Sequence, residues 1–228
     1  MCGIAGIFPR TRSLPEPQVR DGLTRMSACI AHRGPDAAGL WSSSWGAGLA
    51  HRRLTIIDLS DAANQPFFSG DGRYVLSFNG EIYNFQEIRD ELRALGTAFR
   101  TASDTEVLLA AYAQWGEACL DRFDGMFAFA VIDTQARTLF LARDPFGEKP
   151  LYYCETDGAL AFASELSALA ELGGRPWDIS EEAVAEYLAL QYLDQAHTIY
   201  ENVWKLPPGC CLRMRMDAPP LVRRYFTF

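Results

Sequence analysis

Apolar and polar positions along this 228-residue chain switch between a helical and a strand-like period, and the switches divide it into elements. Residues 2–8 are an unbroken small and apolar run, as a short buried strand requires. Val19, Leu23, Met26 and Ile30 then mark one stripe of an amphipathic helix. That helix should stop at His32-Arg33-Gly34-Pro35, since proline cannot continue it and glycine tolerates a left-handed cap. From 40 to 78 the pattern predicts short strands, among them 46–51 and 74–78, the latter preceded by a Gly70-Asp71-Gly72 turn.

Two helices are predicted next. One carries Ile88, Leu92 and Leu95 and is closed by Gly96; the other starts near Asp104, with Val107, Leu108, Ala111, Tyr112 and Trp115 on one face. The β-prone runs 126–133 and 137–142 read as a hairpin through Thr134-Gln135-Ala136, and 151–154 pairs with 160–163 across Asp157-Gly158. Ser164-Glu165 opens a short helix, and Ser180 opens another with Glu182, Val184, Tyr187 and Leu188. Strand blocks alternating with helix pairs, connected mostly antiparallel, predict a layered α+β domain.

Composition narrows the partners. Apolar residues make up 49% and charged residues 22%, as in folded globular chains. The net charge of −8, with basic residues dispersed apart from pairs such as Arg52-Arg53 and Arg223-Arg224, argues against nucleic acid. No apolar run approaches the ~20 residues that span a bilayer, so no membrane partner is expected. Arg10 and Arg12 interrupt the start where a signal peptide would need a longer apolar core, which predicts a cytoplasmic location. Six cysteines without Cys-x-x-Cys spacing and only three histidines predict no metal site. Neither a Gly-x-Gly-x-x-Gly nor a Gly-x-x-x-x-Gly-Lys phosphate loop occurs, so no nucleotide cofactor is expected for this domain.

Cys2 stands apart by position. Removal of Met1 would place a thiol and a free α-amine on one residue. Their ordinary pKa values, near ~8.5 and ~7.7–8.0, let the amine take the thiol proton near neutral pH without a separate histidine. Read without its surroundings, Cys2 is equally a strand residue behind an initiator methionine.

The surroundings are specific. Met1-Cys-Gly-Ile-Ala-Gly-Ile-Phe8, His32-Arg-Gly-Pro-Asp36, Leu49-Ala-His-Arg-Arg-Leu54, Phe78-Asn-Gly-Glu-Ile-Tyr-Asn84, Ser103-Asp-Thr-Glu-Val107, Asp124-Gly-Met-Phe-Ala-Phe129 and Arg143-Asp-Pro-Phe-Gly-Glu-Lys-Pro-Leu-Tyr152 occur in this order. Together they resemble the class II glutamine amidotransferase domain of the glutamine-hydrolysing asparagine synthetase family. The resemblance covers most of residues 1 to about 170 and continues more weakly to 228. It implies a four-layer αββα N-terminal-nucleophile hydrolase sandwich of two antiparallel sheets.

The resemblance also implies roles. Cys2 is the nucleophile, and Asn79 and Gly80 are the oxyanion pair; the dipeptide alone could equally be a hairpin turn. Arg53 matches a clamp for the carboxylate of free glutamine and Asp104 the partner of its ammonium, although Asp104 also reads as a helix N-cap. Glu81 and the backbone near Leu54 and Ile56 complete the implied pocket. His32 and His51 match no base and are expected to be structural. The implied partners are L-glutamine and a synthetase domain, in the parent chain or in trans. ATP and Mg belong to that absent domain, whose Ser-Gly-Gly-x-Asp-Ser loop does not occur here. The implied division is an amidotransferase domain over 2–210, with 211–228 as a tail toward the synthetase. A catalytically silent scaffold that binds a synthetase partner is the alternative, and a peptide-cleaving relative of the same fold is disfavoured by Arg53 and Asp104.

Overall fold

A computed structural model describes residues 1–227 apart from Arg12, Leu59, Asp157 and residues 173–176; the expected Asp157-Gly158 turn therefore falls partly outside the described residues. In chain order the strands are β1 (Gly3–Pro9), β2 (Ala37–Ser42), β3 (Gly48–Arg53), β4 (Phe67–Phe68), β5 (Tyr74–Ile82), β6 (Gly125–Asp133) and β7 (Thr138–Arg143). They continue with β8 (Tyr152–Thr156), β9 (Ala159–Ala163), β10 (Val203–Lys205), β11 (Cys210–Arg215) and β12 (Leu221–Arg224). The α-helices are α1 (Glu16–Cys29), α2 (Phe85–Ala94), α3 (Asp104–Trp115), α4 (Leu166–Ala170) and α5 (Glu181–Leu190).

The strands form two six-stranded sheets, ordered β10-β8-β9-β1-β3-β2 and β12-β11-β7-β6-β5-β4. The run at 2–8 becomes β1, buried at all seven positions and paired antiparallel with β3 on one side and β9 on the other. Side chains alternate across a strand, and here both alternations are apolar. Ile4 and Phe8 face the second sheet, while Ala5 and Ile7 face Val19, Leu23 and Met26 of α1. In β6, Ala128, Ala130 and Ile132 face the first sheet. Phe127, Phe129 and Val131 of the same strand meet Ile88 and Leu92 of α2 and Val107, Leu108 and Ala111 of α3. The result is helix, sheet, sheet, helix, the four antiparallel layers expected. His51 donates its Nε2–H to the Phe78 carbonyl at 3.0 Å and Ser77 donates to the Ala50 carbonyl at 3.2 Å, so polar bonds tie β3 to β5 across the sheet interface.

Several details differ from the sequence reading. β5 runs unbroken to Ile82, so Asn79-Gly80 lies inside a strand paired with Ala128 and Phe127 rather than in a hairpin turn. Leu95 caps the end of α2 and is exposed, because the buried stripe closes at Leu92. The segment offered as a tail supplies most of β11 and all of β12: Cys211, Leu212 and Met214 are buried, with β7 on one side of β11 and β12 on the other. Among the described residues no helix is long and apolar enough to cross a membrane.

Phe162 is fully buried between the sheets, and its ring fills the space over Gly6, where a Cβ would come within 2.1 Å of it. Phe162→Ala should cost about 3–5 kcal/mol of stability. Denaturant titration measures this, and a loss below about 1 kcal/mol would contradict the packing described.

Candidate active site

The end of β1 delivers Cys2 to the rim of a cavity between the sheets. Arg33 donates Nε–H to the Cys2 carbonyl at 2.9 Å and is itself held by Glu165 at 3.0 Å, which also meets His32 Nε2 at 2.9 Å. Ser164 Oγ accepts the Ile4 N–H at 3.0 Å. Gly34 allows the Arg33 turn to pass close by: a Cβ there would stand 2.3 Å from the Arg52 carbonyl carbon. The chain start is thereby fixed by hydrogen bonds as well as by sheet pairing.

The Cys2 sulfur accepts the Leu54 N–H at 3.4 Å and lies 3.6 Å from the Leu54 carbonyl. Burial pushes the thiol above its ordinary range, against the Leu54 N–H bond, the positive chain terminus and Arg53, which favour the thiolate. At neutral pH the group is therefore a thiol that needs a base. His51 is not that base. It is buried, spends its Nε2–H on Phe78, and is held neutral with a pKa lowered to about 4 by desolvation. His32 is on the far side of Arg33, on Glu165.

All eight residues singled out from the sequence line one cavity of about 230 Å³: Cys2, Arg53, Leu54, Ile56, Asn79, Gly80, Glu81 and Asp104. Asn79 is 1% exposed, and its Nδ2 is one of two buried side-chain polar atoms without a hydrogen-bond partner among the described residues. A buried amide donor ordinarily finds a partner, and leaving it unpaired costs roughly 1–3 kcal/mol. At Gly80 a Cβ would fall 2.2 Å from the Met126 carbonyl oxygen, so only glycine permits the close pairing of β5 with β6 beside Asn79.

Arg53, buried, gives three of its five N–H groups to partners among the described residues. Nη1 donates to the Ser60 carbonyl at 2.9 Å and to Asn64 Oδ1 at 2.7 Å, and Nη2 donates to the Asp58 carbonyl. Among the described residues Nε and one hydrogen of Nη2 have no partner and can serve a ligand. The cap of α3, the alternative reading for Asp104, is supplied by Ser103, whose Oγ accepts the Glu106 N–H at 3.3 Å. Asp104 is thereby the first residue of α3, with a carboxylate that lines the cavity and accepts the Ile82 N–H at 3.2 Å. Burial raises its pKa to about 6, with Glu81 adding repulsion, against the Ile82 bond that favours the charged form.

Residues the sequence reading did not assign also line the cavity, including Met1, Gln65, Met126 and Lys149. Gln65 braces β5 and α3: its Oε1 accepts the Phe78 N–H at 2.6 Å and its Nε2 donates to Thr105 at 3.4 Å. Lys149 belongs to the Arg143–Tyr152 motif, whose other polar residues build the loop that carries it. Buried Asp144 accepts the N–H groups of Phe127, Phe146, Glu148 and Lys149, and Arg143 binds the carbonyls of Gly147, Lys149 and Leu206. The signal for Lys149 was a lysine inside a run otherwise devoted to turn formation. Among the described residues no group of three or more His, Cys, Asp or Glu side chains is placed to hold a metal ion.

A half-open cysteine at a chain start, an unpartnered amide, a cation and a carboxylate thus share one cavity. A family model described as a glutamine amidotransferase domain matches residues 1–226. The chain belongs to that family. Over its full length this amidotransferase domain is 42% identical to a putative glutamine-hydrolyzing asparagine synthetase of Mycobacterium tuberculosis, covering 37% of that protein. It is 38% identical to glutamine-hydrolyzing asparagine synthetase 1 of Bacillus subtilis, with 99% of the domain aligned to 35% of that protein. The domain therefore spans little more than a third of the length of these relatives. Its fold matches that of a glutamine phosphoribosylpyrophosphate amidotransferase from B. subtilis with a TM-score of 0.70 at 20% identity, covering all of the domain and 50% of that chain.

Asp104 carries a sign-definite consequence. Between its ordinary pKa of 3.8 and about 6, the folded state binds a proton that the unfolded chain does not. Its contribution therefore makes the empty domain less stable as pH rises through that window, and at pH 7 the cost is fully present. Asp104→Asn should stabilise the empty domain at pH 7 by roughly 1–3 kcal/mol, and by less at pH 5. Denaturant titrations at the two pH values test this; a destabilised variant at pH 7 would overturn the assignment.

Proposed function

We propose that this domain hydrolyses free L-glutamine to glutamate and ammonia through a thioester on Cys2. The observation that carries the proposal is the buried Asn79 Nδ2, without a partner among the described residues, in the same cavity as the Cys2 thiol. A donor kept idle in the empty protein, at the cost of its own desolvation, is suited to a negative charge that exists only during reaction.

With Met1 removed, the Cys2 α-amine takes the thiol proton, and the thiolate attacks the side-chain carboxamide carbon of glutamine. Charge develops on the carboxamide oxygen and is met by Asn79 Nδ2 and the Gly80 N–H. The intermediate collapses as the carbon–nitrogen bond breaks, and the α-ammonium returns its proton to the departing nitrogen, which leaves as ammonia. A water, deprotonated by the same amine, then attacks the thioester; the carbon–sulfur bond breaks, the proton returns to sulfur, and glutamate is released. Arg53 holds the α-carboxylate through Nε and Nη2, and Asp104, ionised above about pH 6, holds the α-ammonium. Glu81 and the Leu54–Ile56 backbone close the pocket around the substrate.

The ammonia is proposed to supply an ATP-dependent synthetase domain, joined to this one or met in trans, and asparagine formation from aspartate is the reading the relatives' names favour. ATP and Mg would be bound there, and this domain needs no cofactor for the glutaminase step.

Release of ammonia and glutamate from glutamine by the Met1-free domain tests the proposal. Cys2→Ala should abolish release, and Asn79→Ala should lower kcat by about 10²–10³-fold with little change in KM. Folded, Met1-free protein that releases no ammonia would leave the silent scaffold as the correct reading. Arg53→Lys keeps the charge but loses the fork, so the KM for glutamine should rise at least about tenfold while kcat changes little; an unchanged KM would remove Arg53 from the substrate site.

A further inference from the structure

Lys149 has no part in the proposed chemistry, yet it is buried, 7% exposed, and lines the cavity. Its loop is fixed by the Asp144 and Arg143 hydrogen bonds, so the ammonium is carried there by a rigid support. Among the described residues Nζ makes its one polar contact with the Met1 sulfur, at 3.8 Å. A thioether is a weak, uncharged acceptor, and no carboxylate lies within salt-bridge distance of this lysine among the described residues. The cation is thus held against the one residue that must be removed to expose the Cys2 α-amine.

Covalent reach bounds the separation. Sδ of a methionine lies at most about 6 Å from the nitrogen of the following residue, which places Lys149 Nζ within about 10 Å of the Cys2 nitrogen. The other charged groups around that nitrogen are already engaged or await substrate. Arg33, whose Nη2 also meets the Met1 sulfur at 4.0 Å, binds the Cys2 carbonyl and is neutralised by its pairing with Glu165, which also holds His32. Arg53 and Asp104 are the proposed partners of the two charges of glutamine, Glu81 stands on β5, the Cys2 thiol is the amine's own proton donor, and His51 is neutral. Among the described residues Lys149 is the cation of this cavity without a counter-charge.

We infer that Lys149 is a positioning residue that acts through the Cys2 α-amine: once Met1 is gone, its ammonium opposes protonation of that amine and keeps the base free at neutral pH. The inference rests on the glutaminase reading for its purpose, but its physical content is the proton affinity of one amine. A like charge at this range in a partly buried site lowers an amine pKa by roughly 0.5 to 1 unit, and a general base works best with a pKa near the operating pH. The neutral form is the one that can accept the thiol proton.

The test uses the Met1-free domain, verified by intact mass, with ¹⁵N-labelled cysteine so that the Cys2 α-amine is titrated directly by its nitrogen shift. The pH profile of kcat/KM for glutamine is measured alongside. Lys149→Met should raise the α-amine pKa by roughly 0.5 to 1 unit and move the acid limb of kcat/KM upward by the same amount, while Lys149→Arg keeps both at the wild-type position. An α-amine pKa that is the same in Lys149→Met as in wild type overturns the inference, as does an equal shift in Lys149→Arg. Should Lys149→Met fail to fold, Lys149→Gln takes its place with the same upward shift expected, and an α-amine pKa equal to that of wild type overturns the inference. Wild-type protein that releases no ammonia overturns the glutaminase reading instead, and the titration still reads Lys149.

Discussion

The site depends on the first strand of the chain being an interior strand of a sheet. Chain ends ordinarily fray, and a catalyst made from the first residue of a protein would lose its geometry with them. Here β1 has antiparallel partners on both edges and apolar contacts on both faces. Its last degrees of freedom are removed by Arg33 on the Cys2 carbonyl and Ser164 on the Ile4 N–H. A rigid start lets a thiol and, after processing, an amine on the same residue hold a constant relation to Asn79 on the opposite sheet.

That opposite sheet supplies the polar side of the cavity. β5 carries Asn79, Gly80 and Glu81 in succession, and its position relative to β1 and β3 is set by the packed interface and by His51 and Ser77 bonding across it. A neutral, fully buried histidine is well suited to such a tie, because its low pKa keeps it from charging across the physiological range. The cavity pairs each cost with a use. Among the described residues Asn79 Nδ2 lacks a partner and Arg53 keeps two N–H groups without one, and Asp104 is a carboxylate held in a buried position. Each deficit corresponds to one group that glutamine or its transition state would bring.

Much of this was legible in the sequence because it is local. The stripe Val19, Leu23, Met26 and Ile30 and the unbroken run of β1 follow from periodicity, and the eight site residues follow from motifs whose order is specific; the structure gathers them around one cavity. What was not legible depends on long-range pairing. Asn79-Gly80 has the composition of a turn, and only its register against Ala128 and Phe127 shows it as strand interior. Ser103 and Asp104 both suit an N-cap, and the choice is decided by Ile82, which takes the aspartate as its acceptor. The alternation in 210–215 is a strand pattern that prolines on either side obscured. Lys149 was hidden because what sets it apart is where a distant loop places it, beside Met1, a contact between residues 148 positions apart.

The most direct measurement of the central claim, that Cys2 is an N-terminal nucleophile aimed into a glutamine-sized cavity, is the intact mass and peptide map of the domain after treatment with a glutamine-like diazo-ketone. The expected result is a protein lacking Met1 and carrying one adduct, located on Cys2, whose formation free glutamine slows. An adduct on any of the other five cysteines, or a Met1-free protein that remains unmodified, would contradict the claim.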